Sequence, residues 1–244
     1  MYNRPPWALV TGASGEIGQA ISLALVEMGI PLYLHYHRSA DKIEAILHVC
    51  RERGVPAYAM QADLRDTKQI EAMFGAMLTP PLLLVNNASI DHVGLMTDVS
   101  PEQFDDLIAA NVRSTFFVTQ KAIPAMLRER FGRIVNISSL WGLTGSSCEV
   151  LYSLSKGAVH AFTKAVSKEL GPNGITVNAV APGAIQGGMM NRFSREDIEM
   201  ITSEIPLGRL GAPQEVAAVV RFLLSPEAGY VTGQIISPNG GWYT

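Results

Sequence analysis

The sequence is poor in cysteine and in long apolar runs, and these absences narrow the kind of protein it encodes. Its 244 residues include only two cysteines, Cys50 and Cys148, with no CxxC pair. We therefore expect reduced thiols rather than a disulfide framework. No apolar run reaches the roughly 18–20 residues that cross a bilayer, and residues 1–15 lack the apolar core of a secretion signal. These features predict a cytoplasmic protein that does not enter a membrane.

Charge of either sign is also scarce. Charged residues make up 17% of the chain, and the formal net charge is −3. This balance offers little electrostatic attraction for a polyanion, so we expect no nucleic-acid partner. The hydrophobic fraction of 48% supports one sizeable core, and chains of this length often form a single α/β domain.

Short apolar runs alternate with longer amphipathic segments along the whole chain. The pattern predicts strands at 7–11, 31–36, 55–60, 82–87, 133–138, 175–180 and 233–237. It predicts helices at 17–28, 41–53, 67–77, 101–130 and 152–170. Several strand runs are continuously apolar, as strands buried on both faces should be. We therefore predict one α/β domain over residues 1–244, a doubly wound parallel sheet of about seven strands with helices on both faces.

The segment 183–211 departs from this alternation. It is bounded by glycine, rich in methionine and without strand character. We interpret residues 186–210 as a flexible lid beside a ligand crevice, and an irregular surface excursion is the alternative.

The stretch TGASGEIG at residues 11–18 follows the first predicted strand and opens the first predicted helix. Glycines at such a turn let backbone N–H groups approach a phosphate, which favours a dinucleotide site. The alternative is a tight turn whose glycines serve only close packing of helix on strand. Glu16 is unexpected here, because its carboxylate would repel a phosphate. We expect its side chain to point to solvent and Gly15 to supply the flexibility of the loop.

The end of the second strand, residues 35–42, indicates which nicotinamide cofactor is used. No Asp or Glu occurs between Leu32 and Ala40, whereas Arg38 and Ser39 could hold a 2′-phosphate. NADP(H) is therefore favoured over NAD(H), and a solvated Arg38 in an NAD enzyme is the alternative. His35 and His37 share one face of the strand end, but without a third ligand we expect no metal.

A tyrosine and a lysine four residues apart, Tyr152 and Lys156, lie on one face of a predicted helix. A nearby cation favours tyrosinate, so this tyrosine could exchange a proton during interconversion of a carbonyl and an alcohol. Ser139 lies thirteen residues upstream, at the end of the fifth predicted strand, with Ser138 as its competitor. Asn111 lies among apolar residues of the 101–130 helix. An exposed helical pair and a satisfied core asparagine are the alternatives for these signals.

Taken together, these motifs resemble those of the short-chain dehydrogenase/reductase family over nearly the whole chain. The resemblance implies a catalytic tetrad in which Tyr152 is the general acid and Ser139 orients the carbonyl. It further implies that Lys156 binds the nicotinamide ribose and lowers the tyrosine pKa, and that Asn111 holds a water leading to solvent. The segments ADL (62–64), NNAS (86–89) and APGAI (181–185) resemble cofactor-binding motifs of the family. The predicted cofactor contacts are Gly12, Ser14, Gly15, Ile17, Gly18, Arg38, Ser39, Asp63, Leu64, Asn87, Ala88, Tyr152, Lys156, Pro182, Gly183 and Ile185.

The chain departs from the family pattern at several places in these motifs, among them Ser89, which replaces a glycine in NNAS. Glu16 stands where the family usually has a glycine, and Gly187 stands where relatives often have a threonine that contacts the carboxamide. The loop conformation and the orientation of the nicotinamide are therefore not set by the resemblance alone.

Within the family, the motifs are most like those of the 3-oxoacyl-(acyl-carrier-protein) reductases of fatty acid biosynthesis. This resemblance implies NADPH-dependent reduction of a small or acyl-carrier-linked ketone, and a homotetramer or dimer built on residues 101–130, 150–170 and the C-terminal strand. Arg128, Arg130 and Arg133 could form a basic patch for an acidic carrier, or a solvated helix end. Alternatives are another alcohol, sugar or secondary-metabolite dehydrogenase, or a non-catalytic nucleotide-sensing protein on the same fold.

Overall fold

Seven parallel strands form a single sheet in the computed structural model, which describes residues 5–244. Residues 1–4, which belong to the segment expected to lack a secretion signal, lie outside the described residues. In chain order the strands are β1 Ala8–Val10, β2 Leu32–Tyr36, β3 Ala57–Gln61, β4 Leu83–Asn86, β5 Gly132–Ile137, β6 Ile175–Val180 and β7 Ile235–Ile236. Their spatial order is β3-β2-β1-β4-β5-β6-β7. The prediction of a doubly wound parallel sheet is confirmed.

Nine α-helices are present in the described part of the chain. They are α1 Glu16–Glu27, α2 Ala40–Glu52, α3 Thr67–Gly75, α4 Pro101–Ile108, α5 Ser114–Glu129, α6 Trp141–Thr144, α7 Val150–Leu170, α8 Arg195–Glu204 and α9 Pro213–Leu224. Apolar side chains of α1, α2 and α9 pack on one face of the sheet, and those of α3, α5 and α7 pack on the other. Within residues 5–244, no helix is both long and apolar enough to span a membrane.

The long helix predicted over 101–130 is divided into two. A π-helical turn at Ala109–Arg113 separates α4 from α5 and contains Asn111. Such turns add one residue and are frequent at functional sites. Apolar periodicity did not reveal this insertion, because the apolar face continues on both sides of it.

The segment interpreted as a lid also contains more regular structure than predicted. A short 3₁₀ turn at Gly188–Arg192 leads into α8, which begins at a capping box formed by Ser194 and Asp197. Residues of α8 are nowhere fully buried, so the helix lies on the surface and carries no continuous apolar face that a sequence pattern would reveal.

A row of hydrogen-bonded polar side chains crosses the buried centre of the sheet. Asn86 and Asn136 are neighbours in β4 and β5, and Asn86 Nδ2 donates to Asn136 Oδ1 at 2.8 Å. Asn86 Nδ2 also donates to Thr119 Oγ1 on α5 at 2.9 Å. Asn136 Nδ2 donates to Thr163 Oγ1 on α7 at 2.9 Å. This row joins α5 to α7 beneath the carboxyl ends of the strands.

The predicted basic patch is only partly present. Arg128 and Arg130 are exposed, but Arg133 is 7% exposed and donates to the carbonyl oxygens of Gly132 and Gly174. Arg133 is also the second residue of β5, at the amino end of the strand, whereas the candidate serines follow its carboxyl end. The prediction that Arg133 contributes to a carrier-binding patch is therefore wrong, because its guanidinium is committed to backbone carbonyls.

Candidate active site

A cavity of about 660 Å³ opens along the carboxyl ends of the strands. This is the edge where ligands bind in open parallel sheets. Every site residue named from the sequence lines the cavity except Asn111. The sheet therefore brings together residues that are up to about 170 positions apart in the chain. The spacing of the motifs suggested this proximity but could not establish it.

The glycine loop is packed tightly against Asn87 and Ala88, the residues that follow β4. Gly12 has a φ of +62°, and a Cβ there would approach Ala88 Cα to 2.8 Å. A Cβ on Gly18 would collide with Gly12 O and lie 2.9 Å from Ala13 Cα. Asn87 Nδ2 donates to the carbonyls of Thr11 and Gly12, each at 3.0 Å. Glycine at 12 and 18 is thus required by close packing.

Gly15 differs from these two glycines. It is the N-cap of α1 in an extended conformation, and a Cβ there would meet only Gly12 O at an ordinary 3.5 Å. The expectation that Gly15 supplies special flexibility is therefore wrong. No side chain caps α1, so the N–H groups of its first turn face the cavity without a side-chain acceptor. A helix start of this kind, lined by tightly packed glycines, fits the phosphates of a dinucleotide.

Glu16 does not point to solvent as expected. Its side chain lines the cavity and its carboxylate lies against Gly187, with Oε1 2.6 Å from the position of a Cβ on that residue. The sequence did not reveal this contact, because residues 16 and 187 belong to two different motifs that are far apart in the chain.

His35 is buried at the end of β2 and connects the glycine loop to the next strand. Its Nδ1 accepts from Gly12 N–H at 3.0 Å, and its Nε2 lies 3.0 Å from Ala62 O. Burial lowers the pKa of His35 to about 4, so the ring is neutral near pH 7 and Nε2–H can donate to the carbonyl. The two histidines expected to share a face of the strand end differ in burial, since His35 is enclosed and His37 is exposed.

The far end of the cavity is lined by charged groups from β2 and β3. Arg38 and Ser39 line it beside His37. Among the described residues, no carboxylate forms an ion pair with Arg38. The nearby carboxylate of Asp63 is held by Arg65 through contacts as short as 2.7 Å. These hydrogen bonds lower the pKa of Asp63 to about 2.

The two candidate serines, Ser138 and Ser139, differ in the groups that they contact. Ser139 lies beside the Tyr152 hydroxyl, and its Oγ accepts from Trp141 N–H at 3.2 Å. Ser138 Oγ instead donates to the backbone carbonyl of Lys156 at 3.2 Å. Ser139 is therefore the serine that faces the tyrosine, and the thirteen-residue spacing identified it.

Tyr152 is 5% exposed, and this burial governs its ionisation. Loss of water raises the pKa of Tyr152, the neighbouring Ser139 side chain opposes that effect, and the carboxylates of Glu149 and Asp91 add to it. The expected shift of this pKa toward neutrality is not seen in this structure, because burial is the largest influence on it. The hydroxyl is consequently a neutral donor near pH 7, which is the form that an acid in carbonyl reduction requires.

Lys156 is 2% exposed and donates from Nζ to Ile137 O at 3.1 Å. The ammonium lies 5.4 Å from the centroid of the Tyr152 ring. Burial lowers the pKa of Lys156 to about 8. The lysine is therefore close to its titration range under ordinary working conditions.

Asn111 lies behind the cavity wall rather than on it. Its Oδ1 accepts from Ile90 N–H at 2.9 Å, and its Nδ2 donates to Ile90 O at 2.8 Å and to Ser155 Oγ at 3.1 Å. Both amide hydrogens are thus used within the protein. Asn111 fixes Ile90, which lines the cavity, and Ser155, which precedes Lys156.

The other end of the cavity contains residues that the sequence motifs did not identify. Trp141 and Trp242 meet edge to face with ring centroids 5.1 Å apart. Glu149 and Arg192 line the same region. Burial raises the pKa of Glu149. The position of Glu149, three residues before the tyrosine on the same helical side, was the only sequence signal available.

We expect Ser139→Ala to lower kcat/KM for a ketone by about 10²-fold, since it removes a hydroxyl donor aimed at the reacting oxygen. Ser138→Ala is the matched control, and its kcat/KM should stay within about threefold, because its hydroxyl serves a backbone carbonyl. Steady-state rates of both variants check the assignment. Equal losses would mean that the serine contributes only to packing.

The cavity contains a buried Tyr–Lys pair, a serine that faces the tyrosine and a glycine-lined helix start. This combination agrees with the family whose motifs the sequence resembles. The chain matches, over residues 12–243, a family model described as Enoyl-(Acyl carrier protein) reductase. It belongs to the short-chain dehydrogenase/reductase family, and it is an oxidoreductase.

Individual relatives are similar over almost their whole length. The chain is 45% identical over 237 residues to an uncharacterised oxidoreductase, YmfI, of Bacillus subtilis, covering 97% of this chain and 98% of the relative. It is 40% identical over 243 residues to the 3-oxoacyl-(acyl-carrier-protein) reductase FabG of Staphylococcus aureus, covering 97% of each. FabG of Aquifex aeolicus is 38% identical over 240 residues, covering 97% of this chain and 96% of the relative.

Proposed function

We propose that the protein is an NADPH-dependent ketone reductase that forms secondary alcohols, with 3-oxoacyl thioesters as its substrate class. The placement of Ser139 beside the Tyr152 hydroxyl, at the wall of a nucleotide-sized cavity, is the observation that carries this proposal. Relatives named 3-oxoacyl-(acyl-carrier-protein) reductase at 40% identity support the substrate class.

The reaction divides between the cofactor and the residues of this chain. The cavity would hold a nicotinamide cofactor, whose chemistry when bound would be the donation of a hydride to a carbonyl carbon. Tyr152 gives its phenolic proton to the carbonyl oxygen, and burial keeps that proton in place until the oxygen gains negative charge. Ser139 donates a hydrogen bond to the same oxygen. Lys156, in its charged form, stabilises the tyrosinate that remains and holds the hydroxyls of the cofactor ribose.

The form of the cofactor follows from the charges at the far end of the cavity. Arg38 offers a guanidinium that suits phosphate oxygens, and Ser39 adds a hydroxyl. Asp63 would repel a 2′-phosphate, but two nitrogens of Arg65 hold its carboxylate. His37 lies 3.7 Å from the same carboxylate and lines this end. These contacts support NADP(H) over NAD(H).

We also propose that the enzyme works in the cytoplasm as a homotetramer, or as a dimer. Apolar side chains are exposed on α4, α5 and α7, where Phe104, Phe116 and Leu154 are 42%, 47% and 50% exposed. Such side chains favour a contact between subunits. Both cysteines are free thiols, which suits a reducing compartment.

The lysine gives the proposal a pH signature. Because burial lowers the pKa of Lys156 to about 8, its charge is lost as pH rises through that value. We expect NADPH to bind progressively more weakly above pH about 8, and Lys156→Arg to remove the inflection because guanidinium stays charged. Titration of NADPH fluorescence from about pH 6.5 to about 9.5 measures the profile. An affinity that stays constant over this range would contradict the assigned role.

The proposed reaction is tested by following absorbance at the nicotinamide band. NADPH and NADH are each offered with acetoacetyl thioesters, on a carrier protein and on a small thiol, and with a panel of simple ketones. We expect oxidation of NADPH with the thioesters and little with NADH. Turnover confined to sugars or polyols would mean that these compounds, and not 3-oxoacyl thioesters, are the substrate class. No turnover with any carbonyl compound would overturn the proposal.

A further inference from the structure

Glu16 and the segment that follows Gly187 contact each other across the mouth of the cavity. A Cβ on Gly187 would overlap the Glu16 carboxylate, with Oε1 at 2.6 Å, and a Cβ on Gly188 would lie 3.1 Å from Oε2. Residues 16 and 187 are also two of the motif positions where the chain departs from the pattern of its family, one becoming larger and the other smaller. The two departures therefore meet at one point in space.

Glycine is needed at 187 for two separate reasons. Its φ of +84° lies in the left-handed region, where a side chain is strained. The carboxylate of Glu16 also fills the volume that a side chain would occupy. Gly145 separates these reasons, because its φ of +73° and ψ of 164° are close to the +84° and −165° of Gly187, but a Cβ there would meet nothing within 4 Å.

The segment 187–192 is held at both of its ends. Glu16 touches its beginning, and Arg192 at its end pairs with Asp91, which follows the cavity-lining Ile90. Met189 and Met190 lie between these ends and line the cavity. The place where the backbone passes Glu16 therefore sets how far the two methionines reach into the cavity.

We propose that Glu16 and Gly187 form a size-complementary pair, in which Glu16 is a positioning residue that fixes the segment 187–192 over the cavity. Glu16 occupies the space of the missing side chain and acts through the backbone of Gly187 and Gly188. Its place in the first turn of α1 is one where the helix dipole favours a carboxylate. The function of that segment as a cover for NADPH rests on the reductase activity proposed above, but the pairing itself does not.

A double-mutant cycle tests the pair with Glu16→Ala, Gly187→Ala and the double variant. Thermal unfolding is measured on the protein alone, and NADPH affinity is measured by fluorescence titration. When Glu16 is present, we expect Gly187→Ala to lower Tm and to weaken NADPH binding about tenfold, the size typical of coupled neighbours. When Gly187→Ala is made in the Glu16→Ala variant, it should weaken NADPH binding by no more than about threefold.

Two further variants separate size from charge and from backbone strain. Glu16→Gln keeps the size of the side chain, so Gly187→Ala should remain as damaging as it is beside Glu16. Gly145→Ala carries nearly the same backbone strain in open space, and its loss of Tm should be smaller than that of Gly187→Ala.

The outcomes distinguish a failure of the Glu16–Gly187 pair from a failure of the proposed reductase activity. Additive losses of Tm in the cycle would overturn the pair, whether or not the protein reduces any ketone. Coupling in Tm without coupling in NADPH affinity would overturn the positioning role. Coupling in Tm for a protein that turns over no carbonyl compound would retain the pair and reject only the reaction.

Discussion

Replacing Tyr152 by Phe should abolish ketone reduction while leaving the cofactor site intact. The tyrosine hydroxyl faces Ser139 in the cavity and holds a transferable proton near pH 7, because burial raises its pKa. Loss of a positioned acid typically costs 10²–10⁴-fold, and we expect kcat to fall by about 10³-fold or more. NADPH affinity should remain within about threefold, since the ring and Lys156 stay in place.

Steady-state rates and NADPH titration of the same preparation check this result. Tyr230→Phe is the control, because that side chain is fully exposed and does not line the cavity. Turnover of the Tyr152 variant near that of the unmodified enzyme would assign the proton to another group. Loss of NADPH binding in parallel with turnover would mean that the substitution disturbs the cavity as a whole.

Arg38→Asp should convert the preference for NADPH into a preference for NADH. The substitution removes a cation from the end of β2 and places a carboxylate where the 2′-phosphate would lie. A hydrogen bond to a charged group contributes about 1.5–3 kcal/mol, and repulsion adds to its loss. We therefore expect NADPH affinity to fall by about 10²-fold or more, whereas NADH affinity should change by less than about threefold.

Affinities for both cofactors are measured side by side by fluorescence titration. Arg53→Asp makes the same change of charge at the C-terminal end of α2, away from the cavity, and should alter neither affinity. A raised salt concentration should reduce the difference between the Arg38 variant and the unmodified enzyme, since partly exposed charges are screened. Equal losses for NADPH and NADH would place the 2′-phosphate elsewhere.

The sheet and its helices were predictable because a strand that is buried on both faces appears in the sequence as a continuous run of apolar residues. β5 and β6 are apolar except for Asn136, Asn178 and one polar residue in the second position of each strand. The predicted runs agree with these observed strands within about two residues. The helices α1, α2 and α3 likewise agree within about two residues at each end.

The parts that were not predicted depend on contacts between distant residues. The π-helical turn at Asn111 arises where the amide bonds Ile90 and Ser155, and the helical pattern around it does not change. The ionisation of Tyr152 depends on how deeply the fold buries it, which the spacing to the lysine does not specify. The direction of Glu16 is set by a glycine that belongs to another motif.

The candidate catalytic residues were identifiable for a different reason. Their proposed roles require fixed chain spacing on one helix and at one strand end, as for Tyr152, Lys156 and Ser139. Trp141 and Trp242 have no such constraint, because the end of a cavity that receives a substrate need only fit that substrate. They line the cavity without belonging to a recognisable pattern.

The row of amides and hydroxyls beneath the cavity bears on how accurately the reaction geometry is kept. It joins α5, which begins three residues after Asn111, to α7, which carries Tyr152 and Lys156. Apolar side chains can slide past one another at little cost, but hydrogen bonds hold their length within a few tenths of an ångström. The row therefore fixes the distance between the two helices. The distance between the Tyr152 hydroxyl on α7 and the cavity wall can vary only as much as the length of a hydrogen bond.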